Sequence, residues 1–579
     1  MKRLCEWVVL FVLLVGAQRG HAQSARGELP IEAHDPQGAT LPATAELVSD
    51  GNQFRRDFHI ARDGRYIARD LPFGVYRLSL KAEGFAPWTD VVDIRSEVPI
   101  RIAVTLGIAP SLTQVEVSDS LTLIDPNRTG TQYAIGHQAL AENIAPQPGR
   151  GLSDLVDDLP GWLYAANGVL HPRGSEYDVQ YVVNGVPLTE NRSPAFAPSL
   201  DADDIAAMRV LTANYPAEYG RKLGGVIELT TEKDVPPGLH GRLNAAGGNF
   251  FTAGGSAAIS YARGEHRFSF SGDGFHTDRY LDPPVLENFT NTANTGGISG
   301  SYELELSDRD RLRIAISHDL TRFLVPNYLV QQTAGQRQNI SNTETSGQLS
   351  FQHLISPDLL LSVSRNVRDS TAELFSNSSS TPVIVSQDRG YREGYVRGDL
   401  AGHHARHDWK FGVDSIFNPV HEELQYRITD PTQFDPDTQQ QFLSYHHWDV
   451  EPSAYVQDQI HLGNWNLSGG LRFDQYGFVV HESAWSPRIG ASRYVHSLNL
   501  LIHASYVRVF QTPAVENPLL ARSPHLDSLN PSVVRLPVRP AHANYYEIGV
   551  AKAVGGKLRR DANVFRRDFR NYSDDDVVA

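Results

Sequence analysis

The sequence predicts a mainly β protein: an N-terminal β-sandwich, a small α/β unit and an antiparallel transmembrane β-barrel. Three observations carry that expectation. The chain starts with an export leader, it contains no apolar run long enough for a membrane-spanning helix, and its second half alternates polar and apolar residues in segments of about ten.

The leader comes first. Lys2 and Arg3 precede nine apolar residues, Trp7 to Val15, and Gly20-His21-Ala22 supplies small residues at the usual cleavage spacing, so residues 1–22 read as a secretory signal peptide. A bilayer core of ~30 Å needs ~20 apolar residues for a helix, which no segment offers. Insertion must then be by strands. The only cysteine, Cys5, lies inside the leader, which leaves a mature chain without disulfide or thiol chemistry. A net charge of -15 offers no basic stripe for a phosphate backbone, so nucleic acid is not an expected partner. Arginine far outnumbers lysine, and nothing in the sequence alone accounts for it.

Residues 28–106 read as the β-sandwich, with β-prone stretches separated by Asp35-Pro36, Asp50-Gly51, Asp63-Gly64 and Pro72-Phe73-Gly74. Asp63-Gly64-Arg65-Tyr66, Leu71-Pro72-Phe73-Gly74-Val75-Tyr76 and Gly84-Phe85 resemble the carboxypeptidase-regulatory-like module of the carbohydrate-binding-like fold, with another small sandwich as the alternative. The resemblance brings no catalytic residues.

Residues 107–120 form a linker, and residues 121–235 change to mixed α/β. Ser153 to Leu159 has helical spacing and stops at Pro160-Gly161, where proline cannot continue a helix. Val179 to Val183 is an apolar strand closed by the turn dipeptide Asn184-Gly185, and Ile205 to Leu211 and Val226 to Thr230 are further strands.

Several of these elements stand in one order. Leu152-Ser153-Asp154-Leu155 leads to Leu159-Pro160-Gly161, followed by Arg173-Gly174, Val182-Val183-Asn184-Gly185-Val186-Pro187, Asp204 to Val210, Ala217-Glu218-Tyr219-Gly220 and Gly224-Gly225-Val226-Ile227-Glu228. That ordered set resembles the plug domain of TonB-dependent receptors. Asn184 stands where the family more often has Asp, and Ala206-Ala207 where it has an acidic residue. The resemblance implies a plug motif at Arg173, Gly174, Asn184, Gly185, Glu218, Tyr219, Gly220, Gly224 and Gly225. It also implies a partner, TonB of the inner-membrane energy-coupling complex, captured by strand addition just before the plug. Thr113, Gln114, Val115, Glu116 and Val117 form the best placed extended stretch for that TonB box, the alternative being that they merely end the linker.

Residues 236–579 carry the barrel signal. Trp465, Leu467, Leu471 and Phe473 oppose Asn466, Ser468, Arg472 and Asp474, Phe268 and Phe270 oppose Arg267, Ser269 and Ser271, and Leu312, Ile314 and Ile316 oppose Arg311, Arg313 and Ser317. Short turns such as Arg263 to His266, Ser356-Pro357-Asp358 and Gly463-Asn464 alternate with long polar stretches, among them Thr321 to Asn342, Arg368 to Asp388, Asn418 to Glu451 and Arg508 to Ala543, expected as outer loops. Ser453 to Gln459, Gly470 to Asp474, Ser486 to Gly490 and Tyr545 to Gly549 also resemble that family's barrel. Asp458 interrupts the apolar face of its strand without an evident partner. About fifteen strand segments fall between Leu239 and Phe569, against about twenty-two in the resembling family. The chain ends on Asp574-Asp575-Asp576-Val577-Val578-Ala579 rather than on an aromatic strand end, so the barrel is expected to be partial, the alternative being a smaller closed one.

No Gly-x-Ser-x-Gly elbow, phosphate loop or His-Glu-x-x-His helix occurs, so no enzyme and no cofactor are expected. His403, His404 and His407, the pair His446-His447, and Asp574-Asp575-Asp576 are weak metal candidates because ligands need fixed geometry and a supporting shell. The expected function is import of an unidentified extracellular ligand across the outer membrane. The competing reading is an outer-membrane carbohydrate-binding or adhesin protein that transports nothing.

Overall fold

A computed structural model describes residues 26–108, 123–136, 139–140, 151–163, 170–175, 179–188, 205–231, 235–433, 441–477, 480–513 and 539–572. The leader, the Thr113 to Val117 stretch and the Asp574 to Asp576 run lie outside them.

The N-terminal unit has seven strands: β1 (Gly27–His34), β2 (Ala43–Ser49), β3 (Phe54–Ile60), β4 (Arg65–Leu71), β5 (Gly74–Lys81), β6 (Trp88–Ile94) and β7 (Ile102–Thr105). They form two sheets, β4-β1-β7 and β3-β2-β5-β6, as a sandwich requires. β1 buries every second residue, so Leu29, Ile31 and Ala33 meet Leu47, Leu78 and Leu80 of the facing sheet. Buried Tyr76 donates its hydroxyl to Pro72 O at 2.6 Å, which satisfies the polar end of an otherwise apolar ring. Gly64 has φ +71, and a Cβ there would lie 2.8 Å from Ala33 O.

The second unit is a five-stranded mixed sheet flanked by helix. Its strands are β8 (Gln132–Gly136), β9 (Val179–Val183), β10 (Val186–Leu188), β11 (Ala207–Leu211) and β12 (Gly225–Thr230), in the order β10-β9-β12-β11-β8. Only β12 and β9 run parallel among these pairs. Helix α1 (Gly151–Asp157) packs Leu152, Leu155 and Val156 on Met208, Val210 and Ile227 of the sheet. It ends before Pro160 and Gly161, whose φ is +87. The β9–β10 hairpin turns on Asn184 and Gly185, both with positive φ, and Asn184 is pinned by Thr231 N donating to Asn184 Oδ1 at 2.9 Å.

Fifteen antiparallel strands follow: β13 (Gly238–Gly247), β14 (Ala253–Arg263), β15 (His266–Thr277), β16 (Ala293–Ser307), β17 (Asp310–Leu324), β18 (Gln338–Ser356), β19 (Leu359–Ser376), β20 (Val383–His404), β21 (His407–Ile428), β22 (Gln441–Leu462), β23 (Trp465–Tyr476), β24 (Glu482–Val495), β25 (Leu500–Gln511), β26 (Ala541–Val554) and β27 (Leu558–Arg570). Each pairs with its chain neighbours, and among the described residues β13 and β27 are not paired with each other. Phe268, Phe270, Ile314 and Ile316 are exposed on the outer face, as the alternation predicts. Asp458 is answered by His407 across the strand pair, with His407 Nδ1 2.6 Å from Asp458 Oδ2 beside the short turns.

The expected long loops need correction. β21 continues to Ile428 and β22 starts at Gln441, so most of the stretch from Asn418 to Glu451 is paired strand, with Asn418 opposite Asp449 and Tyr426 opposite Gln441. The stretches Thr321 to Asn342 and Arg368 to Asp388 are likewise partly strand. A strand of 22 residues spans roughly 70 Å, far beyond an apolar band of about 25 Å. Outside the band both faces meet water, so the apolar alternation fades while the backbone ladder continues.

The sandwich sits against the short-turn rim. Arg69 pairs with Glu305, Arg311 pairs with Glu28, and Arg95 Nε lies 3.4 Å from Asp408 Oδ2. Val98, in the β6–β7 loop, packs with Leu354, Leu360 and Ala401 of the barrel.

Candidate functional site: the plug and its clamp

The mixed-sheet unit fills the space enclosed by β20–β27 and is held there by buried charge. The segment Ala217-Glu218-Tyr219-Gly220-Arg221 supplies the centre of that contact. Glu218 Oε2 lies 2.6 Å from Lys410 Nζ and pairs also with Arg397. Its N–H donates to Gln457 Oε1 at 3.1 Å. Lys410 in turn reaches Glu97 of the sandwich at 2.8 Å and Asp399 at 3.5 Å. Burial opposes ionisation of Glu218, but Lys410 and Arg397 override it and hold the carboxyl well below the usual range. Glu97 moves the other way. Burial pushes it up to about 7 against the pull of Lys410, helped by Asp399 and Glu218.

Three residues on, Arg221 enters a second cluster. Its guanidinium lies 2.7 Å from Asp414 Oδ1 and 2.9 Å from Glu451 Oε2, and donates to Ser453 Oγ at 2.6 Å. Arg472 completes it at 3.0 Å from Asp414 and 2.8 Å from Asp474, and donates to Glu218 O at 3.1 Å. Arg472 runs directly over Gly220, where a Cβ would lie 2.2 Å from Arg472 Nε. Glycine at 220 is therefore fixed by close approach. Arg488 donates to Tyr215 O at 2.9 Å and lies over the Tyr215 ring.

The plug's other end uses a third group. Arg173, left-handed at φ +53, pairs with Glu547 and covers the Phe565 ring at 4.2 Å. Glu547 also accepts from Thr131 N at 2.8 Å and Thr131 Oγ1 at 2.9 Å. Arg567 donates to Pro172 O and Gly224 O, both at 2.7 Å. Gly225 leaves room for Trp162, whose ring would lie 3.1 Å from an added Cβ. Inside the plug, Glu228 accepts from Arg209 at 2.8 Å and from the Tyr219 hydroxyl. Tyr215, Tyr219 and Leu223 close the contact by packing on Val507, Val509 and Tyr545.

All nine residues expected to form the plug motif lie among the described residues: Glu218, Gly220, Arg173 and Gly224 meet the wall directly, Tyr219 and Gly225 shape the mixed-sheet unit from within, and Gly174, Asn184 and Gly185 serve turns. Sequence reading missed the wall partners. A signal was present: Arg397 and Asp399, Arg472 and Asp474, and Arg559 and Asp561 are each two apart, which puts an ion pair on one face of a strand. At 397–399 and 472–474 the pairs are buried, and there arginine's planar fork can reach two carboxylates at once.

Toward β14–β18 the contact is different. Gln348 donates to Asn184 O at 3.1 Å, and a cavity of about 310 Å³ separates the plug from a wall carrying Ser269, Ser271, Ser299, Ser301 and Ser317. His403 and His461 both lie on Asp408, at 2.6 and 2.9 Å, in the rim beside Arg95. Among the described residues no group of three or more His, Cys, Asp or Glu is placed to hold a metal ion.

Sandwich and plug are joined at Asn127, which donates to Asp93 Oδ1 at 2.7 Å from its side chain and to Asp125 Oδ1 at 2.9 Å from its backbone. Burial, then the neighbouring Asp125, pushes Asp93 up to about 7, and burial raises Asp125 as well. A carboxyl that holds its proton more tightly folded than unfolded stabilises the fold at low pH and loses that contribution as pH rises. Stability should therefore fall as pH rises from about 4 to about 7, the interval between the unfolded and folded values of Asp93. Asp93→Asn should flatten the slope of denaturation midpoint against pH, and an unchanged slope would exclude this joint as its source.

Residues 378–579 match the family model described as TonB dependent receptor-like, beta-barrel. The TonB-dependent transporter Oar of Myxococcus xanthus is 25% identical over 175 residues, which is 29% of this chain and 16% of that protein. The chain therefore spans well under two thirds of that relative. Among solved structures, the ferric enterobactin receptor PfeA of Pseudomonas aeruginosa aligns with a TM-score of 0.60 at 14% identity, covering 79% of this chain and 73% of that one. The alcaligin outer-membrane receptor FauA of Bordetella pertussis aligns with a TM-score of 0.57 at 14% identity, covering 77% and 72%. At these identities the structures share the fold.

Proposed function

We propose, from the premise that this chain is an outer-membrane protein whose barrel belongs to the TonB-dependent receptor-like family, that it binds an extracellular ligand and imports it through the plugged barrel with energy transmitted by TonB. The observation that carries the reading is the plug itself. A separate mixed-sheet unit is retained against the inner face of the barrel sheet by charged groups of the wall, so it can be displaced without breaking the sheet. The outer membrane has no ion gradient of its own, hence displacement needs a partner reaching from the inner membrane. Strand addition to Thr113 to Val117, between sandwich and plug in the chain, would deliver the pull to the plug's first residues.

PfeA is a ferric enterobactin receptor and FauA an alcaligin receptor. A siderophore is accordingly the first ligand class to test, followed by cobalamin, oligosaccharides and peptides. Saturable binding to the full chain in detergent, with accumulation by cells that stops when TonB is removed, is the expected result. Binding with no TonB-dependent accumulation would favour the carbohydrate-binding or adhesin reading instead.

A further inference from the structure

The sandwich, the plug and the barrel wall converge on one buried ammonium. Lys410 has three N–H groups, and three carboxylates surround it: Glu218 of the plug at 2.6 Å, Glu97 of the sandwich at 2.8 Å and Asp399 of the wall at 3.5 Å. Arg397 shares Glu218 and lies 2.7 Å from Asp399, so the cluster that retains Glu218 is the cluster the sandwich completes. Glu97 and Lys410 are 4% and 6% exposed. The dryness of the site comes in part from the next residue. Val98, 3% exposed, seals the rim against Leu354, Leu360 and Ala401.

We propose that the N-terminal sandwich is a latch on the plug: docked at the short-turn rim, it keeps water from the Lys410 cluster, and its release loosens the plug. An ion pair excluded from water is several times stronger than the same pair in contact with it, because the local effective dielectric falls. Lifting the sandwich removes both the third acceptor of Lys410 and the apolar seal, which admits water to Lys410, Arg397 and Glu218 together. The docking contacts suit a reversible latch. Arg69 with Glu305, Arg311 with Glu28 and Arg95 with Asp408 are ion pairs at the edge of the barrel, and among the described residues the loop residue Val98 makes the buried apolar contact. The latch stands on the contacts alone and draws on the transport reading only for what the loosening would serve.

Hydrogen exchange of the full chain in detergent tests it, with exchange of residues 95–101 reporting docking and exchange of β11 and β12 reporting the plug. Val98→Asp places a carboxylate in the apolar seal from the sandwich side, and Leu354→Asp does so from the barrel side with the sandwich sequence unchanged. Both should free residues 95–101 and raise exchange in β11 and β12 about tenfold. Should Val98→Asp unfold β1–β7, the Leu354→Asp variant decides. Freed exchange at 95–101 with β11 and β12 as protected as in the unaltered chain would overturn the latch, whether or not a ligand is ever imported.

Discussion

Arg221→Met should release the plug from the wall. The substitution takes a buried cationic partner from Asp414 and Glu451 together, and loss of one partner from a buried pair costs about 3–5 kcal/mol. The expected readout is rapid exchange and protease cleavage in β11 and β12 while β20–β27 remain protected. Arg221→Lys should recover only part of the lost protection, since one ammonium replaces a fork that meets Glu451 through Nε and Asp414 through Nη2. Replacing both partners, Arg221→Met with Asp414→Leu, should restore much of the protection, because then fewer buried charges lack partners. A plug as protected in Arg221→Met as in the unaltered chain would mean that the cluster does not retain it.

Gly220→Val should be as damaging by a steric route. The added Cβ would lie 2.2 Å from Nε and 2.7 Å from Cδ of Arg472, a side chain 1% exposed with no room to swing aside. Either Arg472 leaves Asp414 and Asp474 or the plug backs away from the wall. Overpacking alone costs about 1–3 kcal/mol, and disrupted ion pairs add to it. Gly174→Ala is the informative contrast. Nothing lies within 4 Å of its Cβ position, so only the left-handed backbone at φ +81 resists it, at roughly 1–2 kcal/mol. Equal losses of thermal stability in the two variants would contradict a contact-limited role for Gly220.

Those contrasts mark what the sequence could and could not disclose. Alternation on a strand is a local property, so Phe268 and Phe270 could be assigned to the lipid face directly, and the hairpin at Asn184-Gly185 follows from a dipeptide that tolerates positive φ. The plug was legible as an ordered set of short elements. Its clamp was not, because Glu218 and Arg397 stand 179 residues apart and no local pattern pairs them. The Arg-x-Asp spacing at 397–399 and 472–474 showed which wall residues share a face, yet not that the plug would lie against it. Asp458 was unexplained for the same reason, its partner His407 being on the neighbouring strand. The stretch from Asn418 to Glu451 was misread as loop because apolar alternation reports contact with lipid, whereas strand pairing continues wherever two backbones remain in register.

The most direct test of the whole account is binding of the purified periplasmic domain of TonB to the full chain in detergent, compared with the Val115→Pro variant. Proline removes a backbone donor from the strand that would be added, so the account predicts measurable binding that weakens at least about tenfold in the variant, with the fold of the barrel unchanged. Absence of binding to the unaltered chain would contradict the energy-coupled reading, and equal binding by both chains would remove Thr113 to Val117 as the point of attachment.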